Sequence, residues 1–400
     1  MIYDYIIIGG GISGLRIGNL IQNKYRNKNI LIIEKNSRLG GRILSYKYKK
    51  YVFEEGAGRF NNKQKLILKL IKELGLNNKI KEIPNTVKYF REDNFNFSES
   101  LKKIFAFMKK NFTKVELQNQ TISEIAKKYF DPINYKKFIL NYPYYSEFFV
   151  MNSYDAIRAL YIKNNEVMQY YKLEDGLSQI IKRLTKNFKN KGGKIFLKSN
   201  FLSYTKKNGN YITTFDKDSI MKNIECKNLI FALPINALLK IKQLKKVESL
   251  KFIKAEPLCR VYAIYNSLKW YKYNSKITTN NLLRYIIPTG GNSIMISYRD
   301  GPKARLFNKY NNEGTLKNRI NKNVDKTFKV KNLKPNYLKV CYWDDGCSYW
   351  IKGSKSEKMS KDAIKPFKNE NIFICGESIS TYQAWIEGAL ETVDYLIKIV

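Results

Sequence analysis

The chain has 400 residues, 44% of them hydrophobic, with 73 Lys and Arg against 34 Asp and Glu for a net charge of +39, and it contains no histidine. That length and apolar content predict a substantial core divided over about two domains and argue against disorder. The missing histidine excludes a Ser-His triad, a histidine general base, the usual histidine metal sites and a histidyl-linked prosthetic group.

At the amino terminus, Asp4 to Ile8 reads as a buried strand running into Gly9-Gly10-Gly11-Ile12-Ser13-Gly14, and a second apolar run, Ile30 to Ile33, ends in Glu34. This predicts a strand, a glycine turn, a helix and a second strand. Gly9 allows the tight turn, Gly11 lets the backbone approach a pyrophosphate, and Gly14 lets the helix pack closely on the strand. Glu34 stands where a ribose hydroxyl would sit, which favours FAD or NAD over NADP.

Next come Lys35, the turn Leu39-Gly40-Gly41-Arg42, and Glu54-Glu55-Gly56-Ala57-Gly58-Arg59. An acidic residue followed by Leu-Gly-Gly-Arg and Glu-x-Gly-Ala resembles the FAD-dependent amine oxidases, the group that includes monoamine and polyamine oxidases. The resemblance implies an α/β fold with a Rossmann-type FAD-binding domain and a discontinuous α+β substrate domain. It also implies that Gly9, Gly11, Ile12, Ser13, Gly14, Glu34, Lys35, Gly40, Gly41, Arg42, Gly56, Ala57, Gly58 and Arg59 line the cofactor.

Lys63 to Leu76 has helical spacing, with Leu66, Leu70 and Ile71 on one face. From about residue 80 to 170 the strand–helix rhythm stops. Amphipathic helices follow, one capped by Thr121 with Glu124 three residues on, and then an aromatic stretch, Tyr142 to Phe149, whose rings are read mainly as helix packing. Tyr170 to Gln179 resembles the family's return to the flavin domain, with Asp175 in place of its first glycine. Lys194 to Leu197, Tyr211 to Phe215 and Lys227 to Leu233 read as strands, the last closed by Pro234. Residues 246–354 read as alternating strands and turns. The predicted division is therefore 1–79, 171–245 and 355–400 for the FAD domain, and 80–170 with 246–354 for the substrate domain.

In the family a lysine near the flavin precedes an aromatic residue by a fixed interval, and spacing back from Trp270 puts Arg260 at that place. Arginine keeps its charge and presents a planar fork. It could hold a water, bind a substrate carboxylate or face solvent. Gly346-Cys347 is followed by Ser348, whereas monoamine oxidases have Gly-Cys-Tyr with a flavin-linked cysteine; Cys347 is read as an ordinary buried thiol. Tyr349, or Trp350, then stands as a candidate ring beside the flavin.

At the carboxyl end, Asn371 to Cys375 reads as a buried strand ending in Gly376-Glu377, and Trp385-Ile386-Glu387-Gly388-Ala389 opens the last helix. The resemblance places Gly376 and Glu377 on the ribityl and pyrophosphate region. It places Trp385, Ile386 and Ala389 at the flavin ring, where a helix N-terminus stabilises negative charge. Trp385 is one of two aromatic rings expected to frame the substrate amine.

These readings converge on FAD-dependent oxidation of an amine or amino acid, with hydrogen peroxide formed from dioxygen, and with Arg260, Trp385 and Tyr349 nearest the chemistry. The alternatives are a flavin dehydrogenase or desaturase of the protoporphyrinogen-oxidase or carotenoid-desaturase kind, and a basic flavoprotein scaffold without catalysis. No metal is expected. Five cysteines without CxxC spacing, no secretory leader and no long apolar run predict a soluble, intracellular, cytoplasmic protein. The charge favours polyanions such as nucleic acid. The even spread of lysine, with Asn, Ile and Tyr enriched beside it, favours compositional drift instead.

Overall fold

The structure is a computed structural model that describes residues 2–83, 95–142, 144–160, 168–273 and 275–400, together with the backbone of the strand Val87–Tyr89. The predicted nucleotide-binding unit forms as the pattern requires. Tyr3–Ile8 pairs in parallel with Ile30–Ile33, and between them runs the helix Ile12–Lys24. Both strands are buried on both faces, which is why each is a nearly unbroken apolar run.

Seven strands make this first sheet. Ile220–Phe231, Tyr3–Ile8, Ile30–Ile33 and Lys194–Phe196 lie in parallel order, with Ile372–Ile374 also parallel against Ile220–Phe231. On the other side Ser199–Lys207 and Asn210–Lys217 extend it as an antiparallel meander. The middle strand of this meander is legible in the sequence; the first is not, because its residues are mostly half-exposed or exposed and carry too few apolar positions to read.

The second sheet has six strands in the order Tyr337–Trp350, Ile253–Ile264, Ser293–Asp300, Tyr285–Gly290, Lys276–Thr278 and Val87–Tyr89. Its longest pair, at one edge, is antiparallel, from Ile253 opposite Trp350 to Ile264 opposite Tyr337. The segment read as strands and turns also holds the short helix Glu248–Lys251 and two longer ones, Gly301–Asn312 and Leu316–Phe328. Asp300 ahead of Gly301-Pro302 is a helix-start signal, and Leu316, Ile320 and Val324 repeat every four residues. Ala304, Phe307, Leu316, Ile320 and Val324 bury one side of the sheet.

Helices between Phe97 and Leu160 form a separate layer with its own aromatic core. Phe138 stacks on Phe97 at 5.4 Å and on Phe148 at 5.1 Å, and Phe148 stacks on Tyr142 at 4.3 Å. The capping box of Thr121 and Glu124 is present at the helix Ile122–Tyr129. The helix Lys65–Glu73 buries Leu70 and Ile71 as expected, with Ile67 beside them and Leu66 half-buried against the same core. A small sheet of Phe60–Asn61, Tyr170–Leu173 and Ile80–Ile83 packs on the core of the first sheet, with Phe60 and Leu173 buried in it.

Candidate active site

The glycine turn is built around two contacts and one gap. A Cβ on Gly14 would lie 2.0 Å from the Gly9 carbonyl oxygen, and one on Gly9, at φ +107°, would lie 2.4 Å from that of Ala232. The chain's own packing therefore demands glycine at both places. At Gly11 it does not: φ is −75°, and a Cβ would meet nothing within 4 Å. Gly41 faces the same gap, its Cβ position 3.6 Å from Gly11 Cα. The helix beginning there has no side-chain cap and no acid in its first turn. Its N-terminal N–H groups thus offer an uncompensated positive end beside open space, which suits a pyrophosphate. The residues fit a dinucleotide.

Glu34 ends the second strand as expected, 6% exposed. Its Oε2 accepts from Gly10 N at 2.8 Å, and its Oε1 accepts from Asn36 N and Nδ2, both at 2.9 Å. It clamps the glycine turn to the end of the second strand. Ile12 and Ser13 are buried at the head of the helix, and Lys35 is exposed.

The carboxyl-terminal motif meets the Leu-Gly-Gly-Arg turn through an ion pair. Arg42 Nη1 lies 2.8 Å from Glu377 Oε2, and it also donates to the Gly346 carbonyl at 3.2 Å. Glu377 Oε1 accepts from Ser348 N at 2.9 Å and Ala384 N at 2.8 Å. Gly376 adopts φ +140°, which favours glycine, and donates its N–H to Thr392 Oγ1 at 2.8 Å. Ile386 and Ala389 are buried on the last helix. Glu387, in its first turn, accepts from Leu66 N and Ile67 N at 2.9 Å each. Cys347 lies beside this junction. Burial, then the negative charge of Glu377, pushes its thiol up to about 12.

Gly56, Ala57 and Gly58 pass close beneath these groups. A Cβ on Gly56 would sit 1.9 Å from the Arg42 carbonyl oxygen, to which Ala57 N donates at 3.0 Å. A Cβ on Gly58 would sit 2.8 Å from Arg260 Nη1. Arg260 is turned inward from the second sheet. It donates from Nη1 to the Glu54 carbonyl at 3.1 Å, and its guanidinium lies 4.9 Å from the Tyr298 ring centroid, with Nε unpartnered. The solvent-facing reading of this residue does not hold.

Arg59 was grouped with the cofactor residues, yet its side chain enters an aromatic cluster. Its guanidinium lies 4.6 Å from the Tyr170 ring and 5.8 Å from the Trp385 ring, and Nη2 donates to Tyr144 Oη at 3.1 Å. Tyr170 and Trp385 stack at 6.3 Å with 19° between planes, while Tyr144 stands edge-on to Tyr285 and Tyr298. Among the described residues, the rings paired with Trp385 are thus Tyr170 and Tyr382. Tyr349, expected as the second ring, packs against the helical layer at 5% exposure, and Trp350 is fully buried in the core of the first domain. Side chains alternate along a strand, so adjacent residues here serve opposite layers.

Three further groups complete the cluster, and the sequence reading had singled out none of them. Lys276, 4% exposed, places Nζ 5.3 Å from the Tyr170 ring. Glu147 accepts from Tyr142 Oη; burial, with Asp300 nearby, raises it to about 7. Tyr298, opposite Arg260 in the sheet register, joins the two arginines. Two surface clefts of about 400 and 680 Å³ lie elsewhere and include none of these residues.

An open glycine slot at a helix N-terminus, joined to a closed cluster of rings and cations, defines a dinucleotide-dependent oxidoreductase. The chain belongs to the flavin-containing amine oxidoreductase family, whose sequence profile matches residues 12–392. It is a flavoenzyme of that family, and FAD is its cofactor. Coproporphyrinogen III oxidase of Bacillus subtilis (strain 168) is 35% identical over 75 residues, 18% of this chain and 16% of the relative. Human amine oxidase B is 29% identical over 96 residues, 24% of this chain and 18% of the relative. These matches span less than a fifth of either curated relative. Putrescine oxidase, solved with putrescine bound, shares the fold with a TM-score of 0.77 at 14% identity, covering 100% of this chain and 99% of that one. No helix among the described residues is long and apolar enough to cross a membrane.

Proposed function

We propose that this enzyme oxidises a small amine that also carries a negative group, an amino acid being the simplest case, at the Arg59–Trp385 cluster. The observation that carries this reading is Arg59 itself, set over Tyr170 and Trp385 with no ion pair to a carboxylate among the described residues, although its charge reaches the Glu147 carboxyl. Arg260 and Lys276 add two more positive charges nearby. A diamine such as putrescine brings two positive charges of its own and would be repelled, whereas a carboxylate would receive the arginine fork bidentately.

In this reading Gly11, Gly41 and the helix N-terminus hold the pyrophosphate, Glu34 the ribose end, and the segment 376–389 the flavin end. FAD supplies a hydride acceptor, with dioxygen as the final acceptor giving hydrogen peroxide. The chain's residues do the rest. Arg59 fixes the carboxylate, Trp385 and Tyr170 flank the amine, and the surrounding tyrosines keep water from the reacting carbon. The substrate loses its C–H hydrogen with two electrons and its N–H proton to solvent, and water hydrolyses the imine to an oxo acid and ammonia. Five free cysteines fit a reducing compartment.

A second reading follows from the same cations and the likeness to coproporphyrinogen III oxidase: dehydrogenation of a carboxylated tetrapyrrole. The test is anaerobic flavin reduction by an L-amino acid set, an aromatic amine, putrescine, spermine and a reduced porphyrinogen, in the wild type, Arg59→Met and Arg260→Lys. Fast reduction by an amino acid, lost in Arg59→Met, is expected. Fast reduction by spermine, unchanged in both variants, would overturn the reading. Reduction by the porphyrinogen alone would favour the second, and a purified protein without flavin absorbance would favour a scaffold.

A further inference from the structure

Lys276 lies in a short strand whose three residues are all buried, a place where lysine is rarely found without a partner. No carboxylate among the described residues pairs with it. Its ammonium lies 5.3 Å from the ring of Tyr170, the same ring over which Arg59 lies at 4.6 Å. Two cations sharing one ring repel each other, and desolvation adds to the cost. An arrangement of this kind is costly in the folded chain and becomes favourable only when an anion joins it.

We propose that Lys276 is a specificity residue that joins Arg59 in holding the negative group of the substrate, so that the two cations on Tyr170 form one anion-binding position. This rests on the reading that an anionic amine is the substrate, and it adds a residue and a pH dependence to it. The groups facing Lys276 are Arg59 from the segment before Phe60 and Tyr170 from the small sheet, while Tyr285 of the adjacent strand stands opposite Thr278, two residues further on. On its other side the strand pairs with Val87–Tyr89 through the backbone, Val87 standing opposite Lys276. Burial, then Arg59, lowers the ammonium to about 8. Anion binding should therefore be full below pH 8 and weaken as Lys276 loses its proton, while Arg59 remains charged throughout.

The experiment titrates the holoenzyme with benzoate and with its neutral isostere benzamide. Binding is followed by calorimetry and by perturbation of the flavin spectrum, from pH 6 to 10 in the wild type, Lys276→Met and Lys276→Arg. Benzoate affinity in the wild type should fall at least about tenfold above pH 8, with no such fall for benzamide. Lys276→Met should bind benzoate at least about tenfold more weakly at pH 7, with a flat profile. Lys276→Arg should keep tight binding and also be flat. In turnover, Lys276→Met should raise KM while leaving kcat close to the wild type, the mark of a group that binds without reacting. A wild-type profile retained in Lys276→Met, or a pH fall retained in Lys276→Arg, would overturn the proposal. Benzoate binding that follows this pattern in a protein that oxidises no amino acid would overturn the substrate reading alone.

Discussion

Gly11 and Gly14 lie in one turn and should respond in opposite ways to the same added methyl group. At Gly14 the new Cβ would stand 2.0 Å from the Gly9 carbonyl oxygen and 3.3 Å from Ile7 Cγ2, both parts of the buried first strand and its turn. The helix Ile12–Lys24 must then move off the sheet, an overpacking that costs about 1–3 kcal/mol. For a domain of this size that lowers Tm by roughly 2–12 °C. At Gly11 the methyl meets no protein atom, and φ −75°, ψ −175° is open to alanine. Roughly 0.5–1 kcal/mol of capping preference is lost, and about 0.4–1 kcal/mol is gained from a less flexible unfolded chain. The apoprotein should therefore melt within roughly 2 °C of the wild type. In the proposed placement of the pyrophosphate beside Gly11, however, the methyl stands in its path, and a clash of about 1–3 kcal/mol weakens FAD binding by about 5- to 150-fold. Calorimetry of the apoproteins and titration with FAD separate the two effects. Equal destabilisation by both substitutions, with FAD affinity untouched in Gly11→Ala, would refute the assignment of the gap to the cofactor.

Two further predictions concern titrating groups near the site. Cys347 holds its proton at neutral pH because its thiol is pushed up to about 12, chiefly by burial. FAD should accordingly leave the protein on acid precipitation, and colour remaining in the pellet but absent from Cys347→Ala would disprove this. Glu147 is raised from 4.5 to about 7, chiefly by burial, so the folded protein keeps a proton that the unfolded chain releases between those values. Its contribution to stability is then greatest below pH 4.5 and declines as pH rises to 7. Removing the charge in Glu147→Gln should flatten the dependence of Tm on pH across that window, and an unchanged slope would assign the titration to another group.

What could be read from the sequence is what only one residue type can do. Gly9, Gly14 and Gly56 have Cβ positions 1.9–2.4 Å from carbonyl oxygens, so their spacing is a direct imprint of backbone geometry. The buried parallel strands are equally plain, because burial on both faces leaves little choice but isoleucine and leucine. The helices at 301–328 carried a regular signal in Leu316, Ile320 and Val324, but a run rich in Lys and Asn hid it. The substrate cluster left no such signal. Arg59, Tyr144, Tyr170, Tyr285, Tyr298 and Trp385 come from separate segments, and any one of the 30 tyrosines would read alike in a one-dimensional pattern. Lys276 is the sharper case. In a chain with 73 Lys and Arg, a lysine flanked by Ser275 and Ile277 looks like one more solvated charge. What separates it from the rest is burial beside a second cation, a property of the folded sheet. The high net charge thus conceals the few cations that matter, since a surface lysine adds little to any one contact, whereas an unpaired buried one constrains what the site can bind.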